Sequence, residues 1–222
     1  MRDVQALPTT FNVRPQKEPK NLDGRRAMDV ALSALALVFL APLMIAVAIA
    51  IKLQDGGPVF FGHTRVGFLG QSFKCWKFRS MVTDAEARLA AVLATDPEAR
   101  REWDADHKLR KDPRITILGR FLRASSLDEL PQLFNILVGE MSLVGPRPIV
   151  AAEISKYGRW FPRYTAVKPG LTGLWQVSGR NDVTYRERVA LDILYVRRSN
   201  FRLYLFILLM TVPAVLTRSG SY

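Results

Sequence analysis

Two adjacent carboxylates, Asp128 and Glu129, stand in the segment SSLDELPQL (Ser125 to Leu133), and GPRP (Gly145 to Pro148) follows with a guanidinium, Arg147, held between two prolines. Paired acids of this kind can do two different jobs. In the first turn of a helix they complement the macrodipole and cap free amides, each for about 0.3–1 kcal/mol. Beside a phosphate they can hold a hard cation such as magnesium, or attack phosphorus and form an acyl phosphate. The local pattern admits the first job, because Ser126-x-x-Glu129 has the form of a capping box before LPQLFNIL. The cations around the pair favour the second. Arg123 precedes it, Arg147 follows it and SGR supplies Arg180, and a planar guanidinium suits bidentate phosphate binding. No P-loop G-x-x-x-x-G-K-[ST] is present, so the phosphate chemistry is of another kind.

Elements that would position these residues can be read around them. PVFFGHTRVG and SFKCWKFRSM flank the short FLGQ, the pattern of a β-hairpin. One face of its second strand carries Lys77 and Arg79 together, which suits either a phosphate or an ordinary basic edge strand. Residues 83–111 form a charged, alanine-rich helical region interrupted at Pro97. Leu130, Leu133, Phe134 and Leu137 are spaced for one helical face, and Gly139 ends that helix before an apolar strand or loop leading to Arg147. The stretch from Tyr157 to Asp182, rich in aromatics, glycine and basic residues, reads as loop too irregular for a core. Thr184-x-x-Glu187 opens a second capped helix running to Arg198. No internal repeat is visible. The expected fold is α+β and mainly helical.

The chain has 222 residues and a formal net charge of +12, enough for one domain with a core and an appendage, and it calls for an anionic partner. Two histidines and one cysteine exclude a His/Cys zinc site and an internal disulfide. From Val30 to Ile51 there is no charged residue. At ~1.5 Å per residue this run reaches about one hydrocarbon thickness, roughly 30 Å. Pro42 lies near its middle and cations flank both ends: Arg25 and Arg26 before, Lys52 and Arg65 after. The positive-inside rule therefore gives no direction for a simple span. A re-entrant segment bent at Pro42 satisfies both sets of charges, and an ordinary span with a tolerated proline remains the alternative. A signal peptide fits less well, since the run is too long for an h-region and a polar tail precedes it. That tail, residues 1–22, lacks hydrophobic periodicity and reads as disordered. The apolar stretch Leu203 to Leu216, interrupted at Pro213, is too short to span and reads as an interfacial helix.

KFRSM (Lys77 to Met81), LRASSLDELPQLFNIL, MSLVGPRP and KPGLTGLWQVSGRN (Lys168 to Asn181) together resemble the bacterial sugar transferases, the monotopic polyprenol-phosphate phosphoglycosyl transferases. The resemblance runs in order from about Arg25 to the C-terminus. It implies transfer of a hexose 1-phosphate, galactose or glucose, from a UDP-hexose to polyprenol (undecaprenyl) phosphate, with release of UMP. It implies that Asp128 is the nucleophile, that Asp128 binds Mg2+, and that Glu129 completes the catalytic dyad. Arg123, Arg147 and Arg180, with Lys77 and Arg79, are the implied substrate contacts. The proline-broken segment becomes a re-entrant membrane helix over residues 23–54, ahead of a catalytic domain over 55–222. Ala41 precedes Pro42 where some relatives carry serine. The implied location is the bacterial inner membrane, in contact with its lipids and with the catalytic domain on the cytosolic face, at the first membrane step of exopolysaccharide or capsule synthesis. The competing reading is a non-catalytic polybasic membrane adaptor, which explains the charge but not the grouping of acids and arginines. A nucleic-acid binder has no use for the apolar run. Oligomeric state is not legible in the sequence.

Overall fold

The computed structural model of the protein describes residues 22–106, 109–179 and 183–216. The tail expected over residues 1–22 lies outside them, except for Leu22, and Arg180 also lies outside them. Helix α1 (Leu22–Asp55) carries the whole uncharged run and stays helical through Pro42. Its side chains are widely uncovered: Leu35, Val38 and Phe39 are 66%, 76% and 81% exposed. By length and composition α1 can cross a membrane, and so much bare hydrocarbon on one helix calls for an apolar surrounding.

A hairpin follows, β1 (Phe60–Val66) with β2 (Ser72–Phe78). Its turn is closed by Gly67 N–H donating to Gln71 O at 2.7 Å. Next come α2 (Ala85–Thr95), α3 (Pro97–Asp106), α4 (Ile117–Ala124), α5 (Gln132–Val138), β3 (Ser142–Val144), α6 (Ile154–Tyr157), α7 (Phe161–Tyr164), β4 (Gly170–Thr172), α8 (Leu174–Val177), α9 (Tyr185–Arg198) and α10 (Phe201–Leu216). The fold is therefore mainly helical with two small two-stranded sheets, and α10 runs on through Pro213.

Two compact units divide the chain, with the boundary inside α1 between Ala41 and Pro42. One holds residues 42–61 and 77–130. Here α2 gives way to α3 at Pro97, whose missing N–H costs nothing at the first helical position. The Asp96 carboxylate accepts from Glu98 and Ala99 N–H at 2.8 and 3.0 Å. Thr116 caps α4 by accepting from Gly119 N–H at 2.8 Å, while its own N–H donates to Ser80 O at 3.1 Å. Leu122 is fully buried on the inner side of α4, and Ile117 and Phe121, one turn apart, lie exposed on the other.

The other unit holds α1 to Ala41, residues 62–76 and the chain from Pro131 onward. β3 and β4 pair in parallel, Ser142 opposite Gly170 and Val144 opposite Thr172. The core is Val66, Ile149, Tyr157, Phe161, Tyr164, Val189 and Ile193. This corrects the expectation that Tyr157 to Asp182 is too irregular for a core: short helical turns there drive three aromatic rings inward. Buried Asp29 on α1 accepts from Ser142 Oγ, Leu143 N–H and Tyr204 Oη, fastening the helix to β3 and α10. The buried face of α5 also differs from the expected one. Gln132, Leu133, Asn135 and Ile136 are inside and Phe134 is 48% exposed. Asn135 takes an inner position because its amide bonds the edge of β2, donating to Lys74 O at 2.7 Å and accepting from Trp76 N–H at 3.0 Å.

Candidate active site

The capping box expected at Ser126-x-x-Glu129 does not form. Ser126 sits at φ 58°, in the left-handed region, and its side chain caps nothing. Residues 127–129 make a single 3-10 turn, and α5 begins only at Gln132, after Pro131. An N-cap residue is normally extended, which Ser126 is not, and Pro131 has no N–H to donate to the preceding turn. Both acids face a side chain.

What they face is Lys77 at the end of β2. Its Nζ lies 2.7 Å from Glu129 Oε1 and 3.3 Å from Asp128 Oδ2. The strand alternation that puts Lys77 on the side of Phe73 and Cys75 delivers it there. Asp128 is only 7% exposed. Burial pushes its carboxyl above the ordinary aspartate value; Lys77 and Arg123 pull it back down, and the Glu129 charge adds to the rise. Arg123 reaches the neighbourhood from α4, its Nε donating to Ser80 Oγ at 2.8 Å, and burial lowers its own pKa. A largely desolvated carboxylate with a lysine and an arginine beside it is a candidate nucleophile at a phosphate site.

Arg79, the next cation along, has other work. It forms a bidentate pair with Asp55, and its Nε donates to Pro58 O at 2.6 Å and its Nη1 to Met81 O at 3.3 Å. These bonds fasten the end of α1 to the end of β2, and they occupy the guanidinium that the sequence offered as a substrate contact. An open pocket of about 860 Å³ in the same unit is lined by Ala50, Gln54, Ile115, Ile117 and Phe121 with Arg88 and Arg120. Asp128, Glu129, Lys77 and Arg123 take no part in its wall.

Arg147 belongs to the other unit and is held in a second cluster of cations. Its guanidinium lies 6.0 Å from the centre of the Trp175 ring, and Arg188 lies 5.1 Å from the same ring. Glu153 pairs with both Arg65 and Arg188, at 3.8 and 3.9 Å. Burial, then the charge of Arg147, lower the pKa of Arg65. Asp192, wholly buried, accepts from Tyr157 Oη at 2.7 Å and has its pKa pushed up to about 7 by burial. Reading the sequence placed Arg65 only among the cations flanking the apolar run and did not single out Arg188 or Asp192. The one signal for them was the four-residue spacing of Arg188 and Asp192 on a capped helix.

Among the described residues no group of three His, Cys, Asp or Glu side chains stands ready to hold a metal alone. The donor set at Asp128 and Glu129 suits a hard cation nonetheless. Magnesium is commonly held by one or two carboxylates, with phosphate oxygens and water filling the rest of its sphere.

Residues 21–218 match the Bacterial sugar transferase family, and the chain belongs to that family. It is 51% identical over 198 residues to an undecaprenyl-phosphate galactose phosphotransferase of Salmonella typhimurium, covering 89% of this chain and 41% of that protein. It is 48% identical over 199 residues to the exopolysaccharide production protein ExoY of Rhizobium meliloti, covering 90% of this chain and 88% of that one. A UDP-glucose:undecaprenyl-phosphate glucose-1-phosphate transferase of Caulobacter vibrioides is 40% identical, with 89% and 72% covered. The chain thus spans about two fifths of the Salmonella protein and most of ExoY.

Proposed function

We propose that this protein transfers a hexose 1-phosphate, galactose or glucose, from a UDP-hexose to polyprenol phosphate at the cytosolic face of the bacterial inner membrane. The observation that carries this reading is the buried Asp128 carboxylate, paired with Lys77, within the electrostatic reach of Arg123 and, among the described residues, with no helix amide donating to it. Family membership and the names of the Salmonella and Caulobacter relatives support the two substrates.

An Asp128 oxygen attacks the β-phosphorus of the UDP-hexose. The bond from that phosphorus to the bridging oxygen breaks, and UMP leaves with the electron pair. An acyl phosphate now joins Asp128 to the sugar phosphate. A phosphate oxygen of the polyprenol phosphate attacks the same phosphorus, the bond to Asp128 breaks, and the carboxylate is restored. Glu129 assists the second step by accepting a proton from, or orienting, the lipid phosphate. Arg123 offsets the charge gathering on the phosphoryl oxygens, and the family resemblance adds Arg147 and Arg180 as substrate contacts. Magnesium bound by Asp128, with Glu129 beside it, would supply further charge neutralisation at those oxygens. The lipid phosphate reaches the site in the membrane plane. A re-entrant path for α1 bent at Pro42, with α10 lying at the interface, would keep the chain on the side where the nucleotide sugar arrives; the cations at both ends of the apolar run support it.

Intact mass spectrometry with Mg2+ and UDP-galactose or UDP-glucose, without lipid, tests the proposal. A hexose-phosphate adduct that polyprenol phosphate discharges is expected. Absence of both the adduct and any lipid-linked product across UDP-sugars would leave a membrane adaptor.

The pH dependence of adduct formation has a sign set by the site. Asp128 must be ionised to attack, and burial raises its pKa while Lys77 lowers it. Removing Lys77 lets that pKa rise further. In Lys77→Ala the acid limb of adduct formation therefore moves to higher pH. In Glu129→Gln, which removes a neighbouring negative charge, it moves to lower pH. Rapid-quench rates across the acid range read both shifts, and shifts in the opposite senses would dissociate Asp128 from the titration.

A further inference from the structure

The segment that carries Arg147 is clamped along its backbone by groups the reaction does not otherwise use. Tyr195 Oη donates to Val144 O at 3.0 Å. Gly145 N–H donates to Thr172 O, and Gly170 N–H to Pro146 O. Arg65 Nη1 donates to Pro148 O at 3.2 Å. Ile149 O accepts from Val66 N–H, and Val150 N–H donates to Glu153 Oε2. The two prolines have fixed φ and no N–H to satisfy. One hydroxyl holds the centre of the segment: Tyr164 Oη donates to Arg147 O at 3.0 Å, with Val66 O a longer alternative acceptor at 3.4 Å, and accepts from Ile149 N–H at 3.2 Å.

Tyr164 is 2% exposed, its ring lying 4.7 Å centre to centre from Tyr157 in the aromatic core. The hydroxyl therefore sits at the end of an immobile ring, and the two bonds fix the peptide groups on either side of Pro148. A side chain mounted on a fixed backbone loses less entropy when it binds, and such preorganisation raises affinity without adding a contact. The neighbouring Arg65 and Glu153 hold the flanks of the same segment. From this geometry we propose that Tyr164 is a positioning residue for Arg147, its hydroxyl setting the direction from which the guanidinium meets a substrate phosphate. This rests on the reading of Arg147 as a phosphate contact.

The test is a double-mutant cycle on the full-length protein, reading kcat/KM for the UDP-hexose, with kcat and KM separated. Tyr164→Phe keeps the ring and removes both bonds. Its kcat/KM is expected to fall about 10-fold, mostly through KM, in the wild-type background and less than about 2-fold when Arg147 is already alanine, since contacting residues in one network are not additive. An equal loss in both backgrounds means that Tyr164 serves only the core, and overturns the proposal. So does an unchanged kcat/KM in Tyr164→Phe. If Arg147→Ala alone keeps full kcat/KM, the phosphate-contact reading falls, and the positioning role falls with it. Arg65→Lys loosens the same segment at Pro148 with charge retained. Where Tyr164→Phe does not fold, Arg65→Lys stands in for it, with the same Arg147-dependent loss expected and an equal loss in both backgrounds overturning the proposal.

Discussion

Asp128→Asn is expected to abolish the hexose-phosphate adduct and to lower turnover by about 10⁴-fold or more, the scale seen when a catalytic nucleophile is removed. The substitution is nearly isosteric, and an amide oxygen does not form an acyl phosphate. The fold should survive it. Ser126 is left-handed and makes no cap, so neither acid supports a helix that the change could unravel. The lost attraction to Lys77 is offset in part by relief of the burial penalty and of repulsion from Glu129. A melting temperature within a few degrees of wild type is the expected control. Glu129→Gln should separate the half-reactions, with the adduct still forming and its discharge by lipid phosphate slowing. An adduct of normal mass and rate in Asp128→Asn would remove Asp128 from the nucleophile's role.

The sequence made local structure easier to read than long-range packing. Asp128, Glu129, Lys77 and Arg123 stood out in the sequence by residue type, but the pairing of Lys77 with the two acids did not; the hairpin, the break at Pro97 and the cap at Thr184 follow local rules. The capping box failed because a four-residue pattern does not register backbone conformation: Ser126 is left-handed, and Pro131 brings no N–H to the turn that follows. Apolar spacing misjudged α5 because buried Asn135 is placed by bonds to β2, a partner distant in sequence. Tyr157, Phe161 and Tyr164 were invisible as core for a related reason. Their periodicity is spread over two short helical turns, α6 and α7, and becomes a face only where β1, α9 and the segment after Arg147 close on it. Arg79 looked like a second phosphate ligand until its partner Asp55, far back in the chain, was brought to it.

Gly119→Ala is expected to cost the protein roughly 5–10 °C in melting temperature and to slow adduct formation, although both it and Gly24 are helical glycines. By propensity alone either alanine should stabilise by about 1 kcal/mol. At Gly24 the nearest foreign atom to a new Cβ would be 4.0 Å away, on Phe201, so Gly24→Ala is expected to be neutral or slightly stabilising. At Gly119 the Cβ would lie 1.9 Å from Ser80 O and 2.7 Å from Ser80 C. Backbone cannot swing aside as a flexible side chain can, and overpacking of this kind typically costs about 1–3 kcal/mol or more. A net loss of about 2–3 kcal/mol in a chain of this size gives the quoted shift. Function follows because the same contact locates the site. Ser80 O receives Thr116 N–H and Ser80 Oγ receives Arg123 Nε, so moving α4 away from Ser80 withdraws Arg123 from Asp128. With that cation withdrawn, the Asp128 pKa rises further, so the acid limb of adduct formation moves to higher pH. Across the acid limb, raising the pH should therefore restore part of the lost rate in Gly119→Ala while leaving its melting deficit in place. A rate deficit unmoved by pH would mean that α4 acts through geometry alone.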